Sequence, residues 1–322
     1  MPEAARCGLV FGHPTKQAMQ HGPTAPYLIV ASRGPTTPLV LSSPHSGQAY
    51  PPEVLAQSRL TPSALRALDD GPVDELMAGA CAAGATLIAA TYPRAVVDLN
   101  RDACEQDPDS LSDPALVPGL RVTIKARAGL GVVPTRLLNE PIYAQRLTAG
   151  ELRRRLAQAY DPYHAQLRAL VADRRQRFGA ALVLDCHSMP TIPPLVRGEQ
   201  PIDVALGDRF GRSCHPKLIE VAQHLLAASG LKVARNRPYA GGHITEHHGR
   251  PAQGRHALQL ELRRGLFIDE ATHEKHDGFA GVQALMGELA LALTQAVLEL
   301  AASPGARAAP AQPRQRWALR SA

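Results

Sequence analysis

The sequence predicts an α/β domain organised on a parallel or mixed sheet, and three observations carry that prediction. Apolar, β-prone runs recur at residues 38–43, 85–90, 95–99, 181–186 and 257–262. Stretches with helical spacing separate them, which is the alternation that builds α/β folds rather than all-α or all-β ones. Two of the runs lead into histidine, His45 and His187, at the strand end where open α/β sheets bind ligands.

Residues 1–37 are rich in Pro, Gly and Thr without periodicity and read as a poorly ordered extension. The first strand runs through Ser43 and Pro44 to His45, and Ser46-Gly47 turns the chain. A helix over 61–69 begins on Thr61-Pro62, an N-cap followed by a first-turn proline. The next helix, 72–82, has Asp70 and Asp74 at its start and stops at Gly84. Strands 85–90 and 95–99 precede residues 103–135, where Pro108, Pro114, Pro118, Gly129 and Gly131 predict a long irregular stretch, either an active-site loop or a mobile lid. Pro162 should kink or divide the long helix of 148–178. Strand 181–186 follows, then a helix over 213–229 closed by Gly230. In the last strand Leu258, Leu260 and Leu262 alternate with Gln259, Glu261 and Arg263, so the two sets face opposite sides. A final helix covers 273–302 and a basic, Pro/Ala-rich tail covers 303–322, leaving 38–302 as a single catalytic domain.

The 322 residues carry a formal charge of +6, but the excess lies at the ends: +2 within 1–37 and +4 within 303–322. The body is therefore formally neutral, which argues against a nucleic-acid or anionic-membrane partner. Cys7, Cys81, Cys104, Cys186 and Cys214 form no C-x-x-C pair, which argues against a disulfide framework or a thiolate zinc site. There is no basic-then-apolar leader and no uninterrupted apolar run of ~18 residues, so the expected location is the cytoplasm.

The residues that carry chemistry converge on a hydrolytic zinc site. His45 and His187 supply two imidazoles at strand ends, and a catalytic zinc takes three protein ligands while keeping a position for water. Gln48 stands where an H-x-x-E pattern would have its acid, so the third ligand is sought at Asp70 or Asp74, one to bind and the other to orient a histidine or cap the helix. Glu261, on a strand among leucines, is the candidate general base; the plainer alternative is a buried salt bridge to Arg263 or another arginine. Asn100-Arg101 offers an amide and a guanidinium suited to a substrate carboxylate, with Arg94 and Arg136 as further cations.

With those residues assembled, the chain resembles the N-formylglutamate amidohydrolase family, within the wider zinc carboxypeptidase-like and aspartoacylase-like hydrolases. The matching stretches are Ser43–Gly47, Asp70–Leu76, Pro93–Arg101, Asp185–Ser188, Gly241–Thr245 and Leu258–Leu262, in the family's order. The resemblance implies a phosphorylase/hydrolase-like three-layer sandwich, one Zn2+, and hydrolysis of N-formyl-L-glutamate to glutamate and formate, the last step of one histidine-degradation route. It implies a ligand role for His187, a base role for Glu261 and carboxylate binding by Asn100 with Arg101. Two further expectations stand beside it: a zinc-dependent deacylase of another N-acyl amino acid or small peptide, and a non-catalytic binding protein on the same fold, against which the intact His45, His187 and Glu261 argue.

Overall fold

In the computed structural model, residues 25–303 are described apart from Arg33 and residues 195–197. Most of the expected extension (1–24) and of the expected tail (304–322) lies outside these residues. The strands are β1 (Tyr27–Val30), β2 (Leu39–Ser43), β3 (Thr86–Ala90), the short pair β4 (Arg136–Leu137) and β5 (Glu140–Pro141), β6 (Ala181–Met189), β7 (Val204–Gly207), β8 (Val233–Arg235) and β9 (Arg255–Arg263). The α-helices are α1 (Pro52–Gln57), α2 (Pro62–Leu65), α3 (Val73–Leu76), α4 (Ala78–Ala82), α5 (Ile124–Arg127), α6 (Ala149–Arg155), α7 (Asp161–Phe178), α8 (Pro216–Ala228), α9 (His243–His248) and α10 (Gly278–Ala302).

Seven strands form one mixed sheet in the order β1-β3-β2-β6-β9-β7-β8. The central four are parallel, while β1 runs antiparallel to β3 and β7 antiparallel to β9. Period-two alternation divides the sheet into two buried faces. Leu39, Leu41, Leu182, Leu184, Leu258, Leu260 and Leu262 pack with Leu76, Leu218, Leu289 and Leu293 of α3, α8 and α10. Val40, Val183 and Ala257 pack on the other side with Leu152, Tyr163, Leu167 and Val171 of α6 and α7. Helices thus cover both faces, a three-layer sandwich, and each fully buried leucine contributes about 1.5–3 kcal/mol of transfer free energy.

Several expectations are corrected. Residues 27–30, assigned to the extension, form β1 and pair with β3. The run 95–99 is not a strand: Ala95, Val96, Val97 and Leu99 are buried, but Asp98 accepts hydrogen bonds from Asn100 N–H and Arg94 Nε–H, and such local bonding competes with a ladder. The helix expected over 72–82 is broken into α3 and α4. Between α6 and α7 a π-helical turn, Leu156–Tyr160, precedes Pro162 in the first turn of α7, so the proline divides the helix without ending it. α9, β7 and β8 were not anticipated. α10 is long and apolar enough to cross a membrane by length and composition, and it packs against the sheet through Met286, Leu289, Leu293 and Val297.

Candidate active site

The site follows from the same alternation that builds the core. On β6, Leu182, Leu184 and Cys186 point to one face, so Asp185 and His187 point to the other. On β9 the leucines do likewise, turning Gln259 and Glu261 the same way as Asp185 and His187. Parallel register then sets Asp185 beside Gln259 and His187 beside Glu261. His45 follows the end of β2, the neighbour of β6 on the other side.

Asp70 is delivered by a turn. Its N–H donates to the His45 carbonyl at 3.1 Å, its carbonyl accepts from Ser188 Oγ at 2.6 Å, and Gly71, at φ +72°, reverses the chain before α3 begins. Asp70 is therefore not on the helix with Asp74. Asp74 sits in the first turn of α3, where its N–H donates to Ser46 Oγ at 3.2 Å, and it takes no part in the cluster.

His45, Asp70 and His187 form a buried group whose ligand-capable atoms all lie within 4.8 Å of one another. Asp70 Oδ2 is 3.3 Å from His45 Nδ1 and 2.8 Å from His187 Nδ1. The far nitrogen of each ring has its own carboxylate: Asp98 Oδ1 at 2.8 Å from His45 Nε2, and Asp185 Oδ2 at 3.1 Å from His187 Nε2. Burial opposes charge on His187, yet Asp185 and Asp70 outweigh it and hold the imidazole well above its ordinary value. Burial would raise Asp70, and the two histidines outweigh that, drawing it below the usual carboxylate range. Two imidazoles oriented by acids and sharing one carboxylate are a donor set for a divalent transition metal.

Glu261 lies 7 % exposed on the next strand, and Gln259 Nε2 donates to its Oε1 at 2.6 Å. Among the described residues no lysine or arginine pairs with it; Arg263 is held instead by Asp203, at 2.7 Å from Nη2. No salt bridge from Glu261 to Arg263 or to another arginine is formed among the described residues. Burial, opposed by His187, pushes the Glu261 carboxyl up to about 8.

All four groups open on a cavity of about 850 Å³, which Arg94, Arg101, Lys125 and Arg264 also line. Arg94 Nε donates to Asp98 at 2.8 Å, and Arg101 Nε lies 3.6 Å from the same carboxylate. Arg136 does not reach this cavity: it stands exposed on β4 and lines a neighbouring one with Arg59, Arg127 and Arg146. Asn100 lines the site but is engaged by protein at both ends of its amide. Its Nδ2 donates to Asp185 Oδ2 at 3.1 Å and is 2.9 Å from His187 Nε2, while its Oδ1 accepts from Ile244 N–H at 2.8 Å.

Sequence reasoning missed four residues here. Asp185 had a signal, since it lies two residues before His187 on one strand face. Asp98 lay in a run read as a strand. Arg264 and Lys125 had none, because one follows a strand end and the other sits on a single helical turn inside an irregular stretch.

Comparison with known proteins gives a consistent picture. The family model described as N-formylglutamate amidohydrolase matches residues 37–268. A Pseudomonas putida relative named N-formylglutamate deformylase is 37 % identical over 242 residues, 72 % of this chain and 82 % of its own. The crystal structure of N-formylglutamate amidohydrolase from Ralstonia eutropha JMP134 is similar at a TM-score of 0.80 and 37 % identity, covering 85 % of this chain and 99 % of that one. A gene product of Agrobacterium tumefaciens, 18 % identical with a TM-score of 0.59 over 88 % of this chain and 97 % of its own, shares the fold.

Proposed function

The chain belongs to the N-formylglutamate amidohydrolase family, and on that premise we propose that it hydrolyses N-formyl-L-glutamate to L-glutamate and formate. One observation carries this reading to the residues. Glu261 is a buried carboxylate paired with no lysine or arginine among the described residues, set one strand across from His187 and facing the same cavity as the His45, Asp70, His187 cluster.

The Nδ1 atoms of His45 and His187 and a carboxylate oxygen of Asp70 would hold one Zn2+, in keeping with their burial and with the acid behind each ring. When bound, the ion supplies Lewis-acid polarisation of the formyl carbonyl and makes water a stronger acid. The remaining work falls to side chains. Gln259 occupies Glu261 Oε1, which leaves Oε2 to take the proton of the attacking water; the positive charge of an ion held by the cluster would offset burial and favour the ionised carboxylate that this requires. Glu261 then returns that proton to the amide nitrogen as the C–N bond breaks, releasing formate and the free amine of glutamate. Arg101, with Arg94 beside it, receives a substrate carboxylate through paired N–H donors. Asn100 acts on His187, holding its ring through Asp185, rather than on substrate.

Four cysteines among the described residues, Cys81, Cys104, Cys186 and Cys214, are free, which supports a reducing, cytoplasmic setting. The reaction suits a late step of histidine degradation. Formate release from N-formyl-L-glutamate by metal-replete and by chelator-treated protein tests the reading. Activity should vanish on chelation and return with added zinc; a metal-replete protein that releases no formate but cleaves other N-acyl amino acids would transfer the chemistry to a different substrate.

A further inference from the structure

Lys125 was absent from every expectation, and its surroundings give it a purpose. Three cations reach the cavity from one side: Arg94 and Arg101 from the loop after β3, and Lys125 from α5. The arginines share their acids. Asp98 accepts from Arg94 and from Asn100 N–H, contacts His45 Nε2, and lies 3.6 Å from Arg101 Nε. Glu105, 3.6 Å from Arg101 Nη1, also accepts from Thr123 Oγ1 at 2.6 Å. Arg101 Nε is buried with no hydrogen-bond partner. The Lys125 carbonyl accepts from Leu130 N–H at 2.8 Å, but its ammonium makes no ion pair or hydrogen bond among the described residues. Arg264, the fourth cation lining the cavity, is committed: it donates to Ser188 Oγ at 3.0 Å and to the Asp69 carbonyl at 2.6 Å.

Resting on the reading above, we propose that Lys125 is the specificity cation of this site, receiving the side-chain carboxylate of the N-acyl amino acid while Arg101 receives the α-carboxylate. Tethering divides the two roles. Arg101 is tied through Asp98 to His45, and so to the cluster where the amide must lie; the carboxylate nearest the amide falls to it. Lys125 has no such tie and stands exposed, where the far end of a substrate side chain arrives. Leu130 and Leu137 line the same cavity and offer apolar contact to the methylenes between the two carboxylates. Although the residue as a whole is exposed, desolvation around its ammonium, then the fields of Arg101 and Arg94, hold it below its ordinary value, so an incoming anion would supply counter-charge there.

The test compares N-formyl-L-glutamate with N-formyl-L-glutamine, which replaces the side-chain carboxylate by a neutral amide of similar shape, using metal-replete full-length wild type, Lys125→Met and Lys125→Arg. Lys125→Met should lower the preference for glutamate over glutamine roughly 10- to 100-fold, the worth of one hydrogen bond to a charged group, with the loss in KM rather than kcat. Lys125→Arg should recover most of it. An unchanged preference, whether or not overall activity falls, would overturn the assignment and leave the proposed reaction standing. Wild type that cleaves N-formylglutamine but not N-formylglutamate would overturn both.

Discussion

His187 and His248 are buried to the same depth, 3 % and 2 % exposed, yet their chemistry is opposite. His187 lies between Asp185 and Asp70, which keep the ring well above its ordinary pKa against the pull of burial. Beside burial, the groups that act most on His248 are His247, His164, His243 and Arg168, and together they push it down to about 2. His164, stacked on it at 6.4 Å, is pushed down to about 3 in the same way. The difference teaches that depth alone does not decide what a buried imidazole is for. With acids behind it the ring is oriented and basic, fit to be a ligand. Without them it is a neutral packing unit with one polar nitrogen to spare: His164 Nε2 donates to the Leu99 carbonyl, and Tyr160 O–H to that of Arg101, so this second region shores up the loop carrying Arg101.

The largest effect expected separates reactivity from packing. Glu261→Gln should keep its melting temperature and metal content while kcat falls by ~10² to 10⁴; His248→Phe, equally buried, should leave kcat unaltered. A stable, metal-loaded and fully active Glu261→Gln enzyme would break the contrast at its centre. A smaller effect tests the acids. Asp185→Asn should weaken zinc binding roughly 10- to 100-fold by titration calorimetry, and unaltered affinity would mean that His187 needs no carboxylate behind it.

The smallest effect per unit concerns acid stability. His164, His248 and His256 have folded-state values of about 3, 2 and 4, below the ordinary 6.5, with burial the first cause in each. The unfolded chain therefore binds more protons between those values and 6.5, so the stability they contribute is complete above 6.5 and falls as pH drops through that window. Each ring should cost about 1.4 kcal/mol per pH unit there. Urea midpoints at pH 7 and pH 5 measure the slope. His248→Leu should flatten it, and an identical slope would show that this ring does not titrate on unfolding.

What was legible in the sequence follows period and strand ends. The alternation of Leu258, Leu260 and Leu262 with Glu261 survives intact, and His45 and His187 meet as their strand ends suggested. Asp70 could not be told from Asp74, because the choice rests on a left-handed backbone at Gly71 that takes Asp70 off the helix. The place of Arg136 was not legible, because a short hairpin, invisible to periodicity, turns it into the neighbouring cavity. The run 95–99 shows the limit of apolar pattern itself: buried residues need not be strand, and here one acid at the centre reorganises the backbone around it.

The pairing of His187 with Glu261 in the β6–β9 ladder also bears on how such an enzyme could change over generations. Their separation is inherited from the spacing of adjacent strands, ~4.8 Å, and a register slip would turn both to the wrong face together. Lys125, Leu130 and Leu137, the residues proposed to meet the rest of the substrate, lie on the one-turn helix α5, the loop after it and the two-residue strand β4, within a long, mostly irregular stretch where insertion and exchange are tolerated. The bond-breaking machinery is thus inherited as one rigid unit while the choice of molecule drifts independently beside it, so new acyl amino acids can be recruited without rebuilding the chemistry.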